Sequence, residues 1–182
     1  MPKANSYQGR MGRDKIIKSS TSVHSAILKR LKGRLVIVGV GNPLKGDDGA
    51  GPFFIQELSR IYGQSQRTGS PPVLIDAGEV PENYVEPIIQ AGPEVVMVVD
   101  ACDFGGKPGE IRIFESDEIS KAGFTTHTLS PAIFMGYVGR QTNARIFLLA
   151  IQPRTVEMGA GISSEVKSSI SELIKILNKM EK

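Results

Sequence analysis

The stretch Val38 to Pro52, VGVGNPLKGDDGAGP, constrains this chain more than any other. An apolar run enters a glycine-rich loop, passes two adjacent aspartates and leaves into a helical pattern. Leu35 to Val40 reads as a buried parallel strand, because such strands are apolar on both faces. Pro52 suits a first helical position, and Phe54, Leu58 and Ile61 follow at helical spacing. Two like charges side by side in a tight loop bring a fold little, so a site is the better reason for Asp47 and Asp48.

The same alternation continues along the chain. Val73 to Ile75 is predicted as a second strand, followed by Asp76-Ala77-Gly78. Pro81 to Gln90 is predicted as a helix with Tyr84, Val85, Ile88 and Ile89 on its apolar side. Glu94 to Val99 is a third strand, ending at Asp100. In Glu110 to Phe114, Ile111 and Ile113 alternate with polar residues, the pattern of a half-exposed antiparallel edge strand. Ser130-Pro131 marks a helix start, Arg145 to Ile151 a buried strand. Ile162, Val166, Ile170, Leu173, Ile174 and Leu177 form a last helical stripe. Strands alternating with helices predict a three-layer α/β sandwich: a mostly parallel sheet of about five strands, one antiparallel edge strand, and helices on both faces.

Charge divides the chain. Nine of its 22 Lys/Arg, but only Asp14 of its 19 Asp/Glu, lie in residues 1–34. The rest is mildly acidic, which argues against a nucleic-acid binder. Residues 1–34 are therefore expected to be a basic, partly disordered extension, with a short helix over Ser22 to Lys32, and residues 35–182 a single domain. The extension lacks the continuous apolar region of a secretory signal, and apolar runs elsewhere are only strand length. The lone Cys102 forms no internal disulfide and fits a reducing, cytoplasmic compartment.

In such folds ligands sit beyond the carboxyl ends of the strands. Asp47, Asp48, Asp76 and Asp100 are all expected at that edge, with His127 in a polar turn, Thr125-Thr126-His127-Thr128, beside it. Two carboxylates and an imidazole can hold a borderline divalent ion such as nickel or zinc. The residues leave alternatives open. His127 can be an ordinary loop residue, and either aspartate of the pair can be a turn or cap residue. Asp76 and Asp100 can each simply start a turn. Cys102 with His127 is a conceivable cysteine hydrolase pair, although a buried cysteine is usually a small hydrophobe. A dinucleotide loop built on Gly39, Gly41 and Gly46, with Asp76 as the ribose acid, fits poorly. Pro43 and further residues intervene before the helix, and two aspartates repel an anion.

Several motifs converge on one family. GVGNPLKGDDGAGP, IDAGEVPENYVEPI at 75–88, VVDACDFGGKPGEIRIF at 98–114, TTHTLSP at 125–131 and IFLLAIQP at 146–153 occur in order. Over residues 35 to about 178 the chain resembles the nickel-iron hydrogenase maturation endopeptidases, in the branch that processes hydrogenase 3-type large subunits. The resemblance implies an aspartic-type or metal-recognising peptidase. It would remove the C-terminal extension of a nickel-loaded large-subunit precursor, just after the His or Arg that follows the last metal-binding cysteine motif. It implies Asp48, Asp100 and His127 as metal-contacting residues and Asp76 as important for cleavage, so that all four count as catalytic. It also implies nickel delivered by the substrate, for which other divalent ions can substitute. The expected partner is the precursor of a nickel-iron hydrogenase large subunit, with no nucleic acid and no membrane insertion. The competing readings are a non-catalytic nickel-binding assembly factor and a nucleotide-binding module.

Overall fold

The computed structural model describes residues 20–64, 71–122 and 131–179. Its strands are Leu35–Val40 (β1), Val73–Gly78 (β2), Val95–Ala101 (β3), Ile111–Phe114 (β4) and Arg145–Ile151 (β5). They form one sheet in the order β2-β1-β3-β5-β4, parallel except for β4, which runs antiparallel to β5 at the edge. The helices are Ser20–Arg30 (α1), Ala50–Gln64 (α2), Val85–Gln90 (α3), Ser116–Ala122 (α4), Pro131–Thr142 (α5) and Ser164–Lys179 (α6). Among the described residues no helix is long and apolar enough to cross a membrane.

The period-2 alternation of each strand sorts its side chains between two cores. Ile37, Met97 and Phe147 lie in register and pack beneath α1, α2 and α6 with Ile27, Phe54, Leu58, Ile170 and Leu173. Val38, Val98 and Leu148, one residue on, pack with Ile88 of α3, Ile119 of α4, and Phe134, Met135 and Val138 of α5. The three-layer sandwich is therefore the observed fold. Full burial of a residue such as Phe54 or Leu58 contributes about 2 kcal/mol. Packing of this kind holds helices whose lengths are marginal in isolation.

Several boundaries differ from the sequence reading. A 3-10 turn, Gly46–Gly49, precedes α2, so Pro52 is the third helical residue, still within the first turn where a missing amide costs least. The predicted helix from Pro81 breaks into a 3-10 turn, Pro81–Tyr84, and the short α3. Pro87 explains the break, since it offers no amide to the Asn83 carbonyl and its ring would clash there. Helix α4 follows a strand too closely to show as a separate stripe in the sequence. β2 and β3 run past Asp76 and Asp100, to Gly78 and Ala101. At the other end, Ile27 and Leu31 of the basic extension are buried in the core, and Arg30 pairs with Glu115 at 3.0 Å. The proposed Ser130 cap lies outside the described residues, as do residues 1–19.

The start of α2 lies directly on the sheet. A Cβ on Gly51 would run into the backbone of Val40 and come within 2.6 Å of the Val99 carbonyl oxygen. Gly63, near the other end of the same helix, has open space around it. The two glycines should therefore respond oppositely to alanine. Urea unfolding is expected to show Gly51→Ala destabilised by about 2 kcal/mol or more, and Gly63→Ala stabilised by roughly 0.5 kcal/mol.

Candidate active site at the carboxyl edge of the sheet

After β1 the chain turns at Gly41, whose φ of 136° favours glycine. A Cβ there would fall on the Asp48 carbonyl oxygen. The loop then folds back on itself. The Asn42 amide donates to Asp48 Oδ2 at 3.0 Å, and the Asp48 amide donates to the Lys45 carbonyl at 3.1 Å. The Asn42 side chain accepts from the Leu44 amide and donates to Glu79 Oε2 at 2.9 Å. Lys45 Nζ meets Glu79 Oε1 at 2.7 Å. That bond, with the charges of Glu79 and Asp48, raises the Lys45 pKa above its ordinary value. The loop after β2 is thus tied to the loop that carries Asp48. Sequence reasoning passed over Asn42 and Glu79 as holders of this geometry.

The adjacent aspartates part company. Asp47 is fully buried and accepts four hydrogen bonds: from the Arg154 and Thr155 amides, the Ser163 amide and the Ser163 hydroxyl. Its carboxylate joins the 3-10 turn to the segment between β5 and α6. Asp48 is 9% exposed and accepts from the Asn42 amide.

The negative charges of Asp100 and Asp48 both bear on Cys102. Asp100 is buried on the α3–α5 face of the sheet, in register with Ala150. The Cys102 thiol lies 3.7 Å from Asp100 Oδ2. Burial pushes that thiol well above its ordinary range, and the charge and hydrogen bond of Asp100 and the charge of Asp48 add to the rise. A fully buried, protonated thiol is no nucleophile, so the cysteine hydrolase reading loses its central group. The segment after Asp100 is shaped by the buried Gln152, unremarked in the sequence. Its Oε1 accepts from the Phe104 and Gly106 amides at 3.0 Å each, and its Nε2 donates to Asp103.

Asp76 does not join this pair. It pairs in register with Gly39, whereas the neighbouring Ile75 and Ala77 pack on the α3–α5 side. Asp76 therefore points to the other face of the sheet from Asp100. It is exposed and accepts from the Gly78 amide at 3.2 Å, the bond of a short polar turn. His127 lies outside the described residues. Among the described residues, no group of three His, Cys, Asp or Glu side chains is arranged to hold a metal ion. Asp48 and Asp100 stand at the same edge of the sheet, and a metal ion there would need further donors. The turn ahead of α2 has its Gly46, Asp47 and Asp48 amides already bonded to carbonyls, so it offers a phosphate group no free amides there.

The model for the hydrogenase maturation protease HycI matches residues 54–180. The chain belongs to the hydrogenase maturation protease family. A Methanocaldococcus jannaschii protein assigned to hydrogenase maturation proteases is 35% identical over 155 residues, spanning 83% of this chain and 91% of its own. The hydrogenase 3 maturation protease of Escherichia coli K12 is 31% identical over 147 residues, spanning 80% of this chain and 90% of its own. Among solved structures, the [NiFe] hydrogenase maturation protease HycI of Thermococcus kodakarensis KOD1 superposes with a TM-score of 0.75 at 30% identity. That match covers 85% of this chain and 97% of that one. This hydrogenase maturation protease is accordingly a hydrolase of the endopeptidase kind.

Two outcomes follow from the geometry. Asp47→Ala removes the acceptor from four donors and should cost about 3 kcal/mol or more in urea unfolding. Asp48→Asn, which keeps an oxygen for the Asn42 amide, should cost under about 1 kcal/mol. The second concerns Cys102. Its thiol ionises at lower pH once unfolded, so its contribution to stability should fall as pH rises past the ordinary thiol value, about 8.5. Alkylation by iodoacetamide at pH 8, read by mass, should be slow in buffer and fast in urea.

Proposed function

We propose that this protease removes the C-terminal extension of a nickel-iron hydrogenase large-subunit precursor, and that it reads the precursor's nickel with Asp48, Asp100 and His127. The observation that supports the proposal is that Asp48, in the turn ahead of α2, and Asp100, near the carboxyl end of β3, both lie at the edge of the sheet where α2 starts. One comes from the turn after β1 and the other from β3, while Asp47, equally charged and adjacent, is consumed by structure. Carboxylate oxygens and an imidazole nitrogen are suitable donors for a borderline divalent ion. The ion comes with the substrate, so the enzyme needs only an incomplete set of ligands. The precursor supplies the others.

Cleavage then requires water to add to the scissile carbonyl carbon, the C–N bond to break, and a proton to reach the departing amine. Asp48 and Asp100 would orient the precursor by its metal. Asp76 is the proposed base for the water, on the strength of the family resemblance. Its exposed carboxylate is held by the amide of Gly78, two residues on in the same strand. The opposite facing of Asp76 and Asp100 separates positioning from proton transfer. The work is proposed to take place in the cytoplasm, where the single cysteine stays reduced.

Mixing the full chain with nickel-loaded precursor and following product mass tests this reading. Loss of one defined C-terminal peptide is expected, and no loss from nickel-free precursor. Asp48→Asn and His127→Ala should lower kcat/KM at least about 100-fold, and Asp76→Asn should act mainly on kcat. Equal cleavage of nickel-free precursor would overturn nickel recognition. Tight binding without any mass change would favour a non-catalytic assembly factor.

A further inference from the structure

The end of β2 that carries Asp76 is irregular. Gly39 of β1 pairs with Asp76, but the next residue, Val40, pairs with Gly78, so β2 holds an extra residue there, Ala77. An extra residue of this kind re-aims the side chains beside it. Gly78 then takes a φ of 54°, and the Val80 amide donates to the Ala77 carbonyl at 3.3 Å. The bond from the Gly78 amide fixes the Asp76 carboxylate only relative to its own strand. A base must also be placed relative to the substrate, which in the reading above is gripped from the loop of Asp48.

Glu79 supplies that link. The Gly41 amide donates to the Gly78 carbonyl at 2.9 Å, Asn42 Nδ2 donates to Glu79 Oε2 at 2.9 Å, and Lys45 Nζ donates to Glu79 Oε1 at 2.7 Å. Asn42 and Lys45 are also the residues that hold Asp48, one by its amide and the other by its carbonyl. Hydrogen bonds therefore run from Asp48 through Asn42 to Glu79, and Glu79 directly follows Gly78, whose amide holds Asp76. We propose that Glu79 is a positioning residue for cleavage, its carboxylate setting the distance between the metal-reading loop of Asp48 and the base at Asp76. This inference rests on the roles given to Asp48 and Asp76 above. Glu79 itself neither holds the metal nor takes the proton. Its pair with Lys45 has side chains 43% and 39% exposed, and such a pair contributes little to folding. Placement, rather than stability, is what the bond supplies.

The test is a concentration series of nickel-loaded precursor with the full chain, read by product mass. Glu79→Ala should lower kcat about tenfold, leave KM within about twofold and keep the melting temperature within about 3 °C. Glu79→Gln has the same length and keeps one acceptor oxygen, so it should recover kcat to within about threefold of the wild type. Lys45→Met should lower kcat about threefold on its own, and cause no further loss when added to Glu79→Ala, which has already removed that link. Should Glu79→Ala melt lower, Glu79→Gln and Lys45→Met carry the same readout. An unchanged kcat in Glu79→Ala, a rise in KM in its place, or losses that simply add in the double variant overturns the positioning role while cleavage stands. Full kcat in Asp76→Asn overturns both the base and its positioning. A wild-type chain that leaves the precursor whole overturns the proposed function, and the role of Glu79 with it.

Discussion

Four donors converge on the Asp47 carboxylate, and the shape of the functional edge depends on them. A fully buried carboxylate is costly unless its oxygens are satisfied. Here the satisfaction comes from a segment more than a hundred residues away, between β5 and α6. The bonds fix three things at once. They set the path of the 3-10 turn before α2, and they place the return loop that carries Val156 and Met158. They also engage Ser163, whose hydroxyl accepts from the Val166 amide at the head of α6.

Because Asp47 is spent on architecture, Asp48 is the member of the pair left for the metal contact proposed above. Its position is set by backbone rather than by side chains: the Asn42 amide, the Lys45 carbonyl, and the glycine at 41 that lets the chain pass so close. A group held by backbone loses little orientation when a neighbouring side chain moves. Asp100 is held differently, inside a central strand whose seven residues are all buried. The two carboxylates are thus both held by backbone, one in a hydrogen-bonded turn and one in a central strand, as the metal contact proposed above would need.

Much of this was legible in the residues. The five strands, the antiparallel edge and the two-sided helices follow from apolar periodicity, and Arg145–Ile151 and Leu35–Val40 fall where the pattern puts them. The placing of Asp48 and Asp100 at one edge of the sheet follows from the rule that the ends of parallel strands share an edge. Asp76 shows the limit of that rule, because an edge says nothing of a face. Facing depends on register, and one residue of offset between Asp76 and Asp100 turns them apart. The fate of Asp47 was legible only in outline, as a structural residue, since its partners at 154, 155 and 163 are distant in sequence. Asn42, Glu79 and Gln152 lie within the quoted motifs, but nothing in those motifs says what each one holds. Each acts through hydrogen bonds to a loop that meets it only in the folded chain.

Helix α1 carries a final consequence. By charge, the basic extension ends near Arg34; by packing, the core has already claimed Ile27 and Leu31. Charge reports the side of a helix that faces water, and burial reports the side that does not. One helix can therefore belong to an extension on its outer surface and to the domain on its inner one. A chain shortened to begin at Leu35 would keep every strand, but it would uncover part of the α2–α6 core and lose the Arg30 anchor on Glu115.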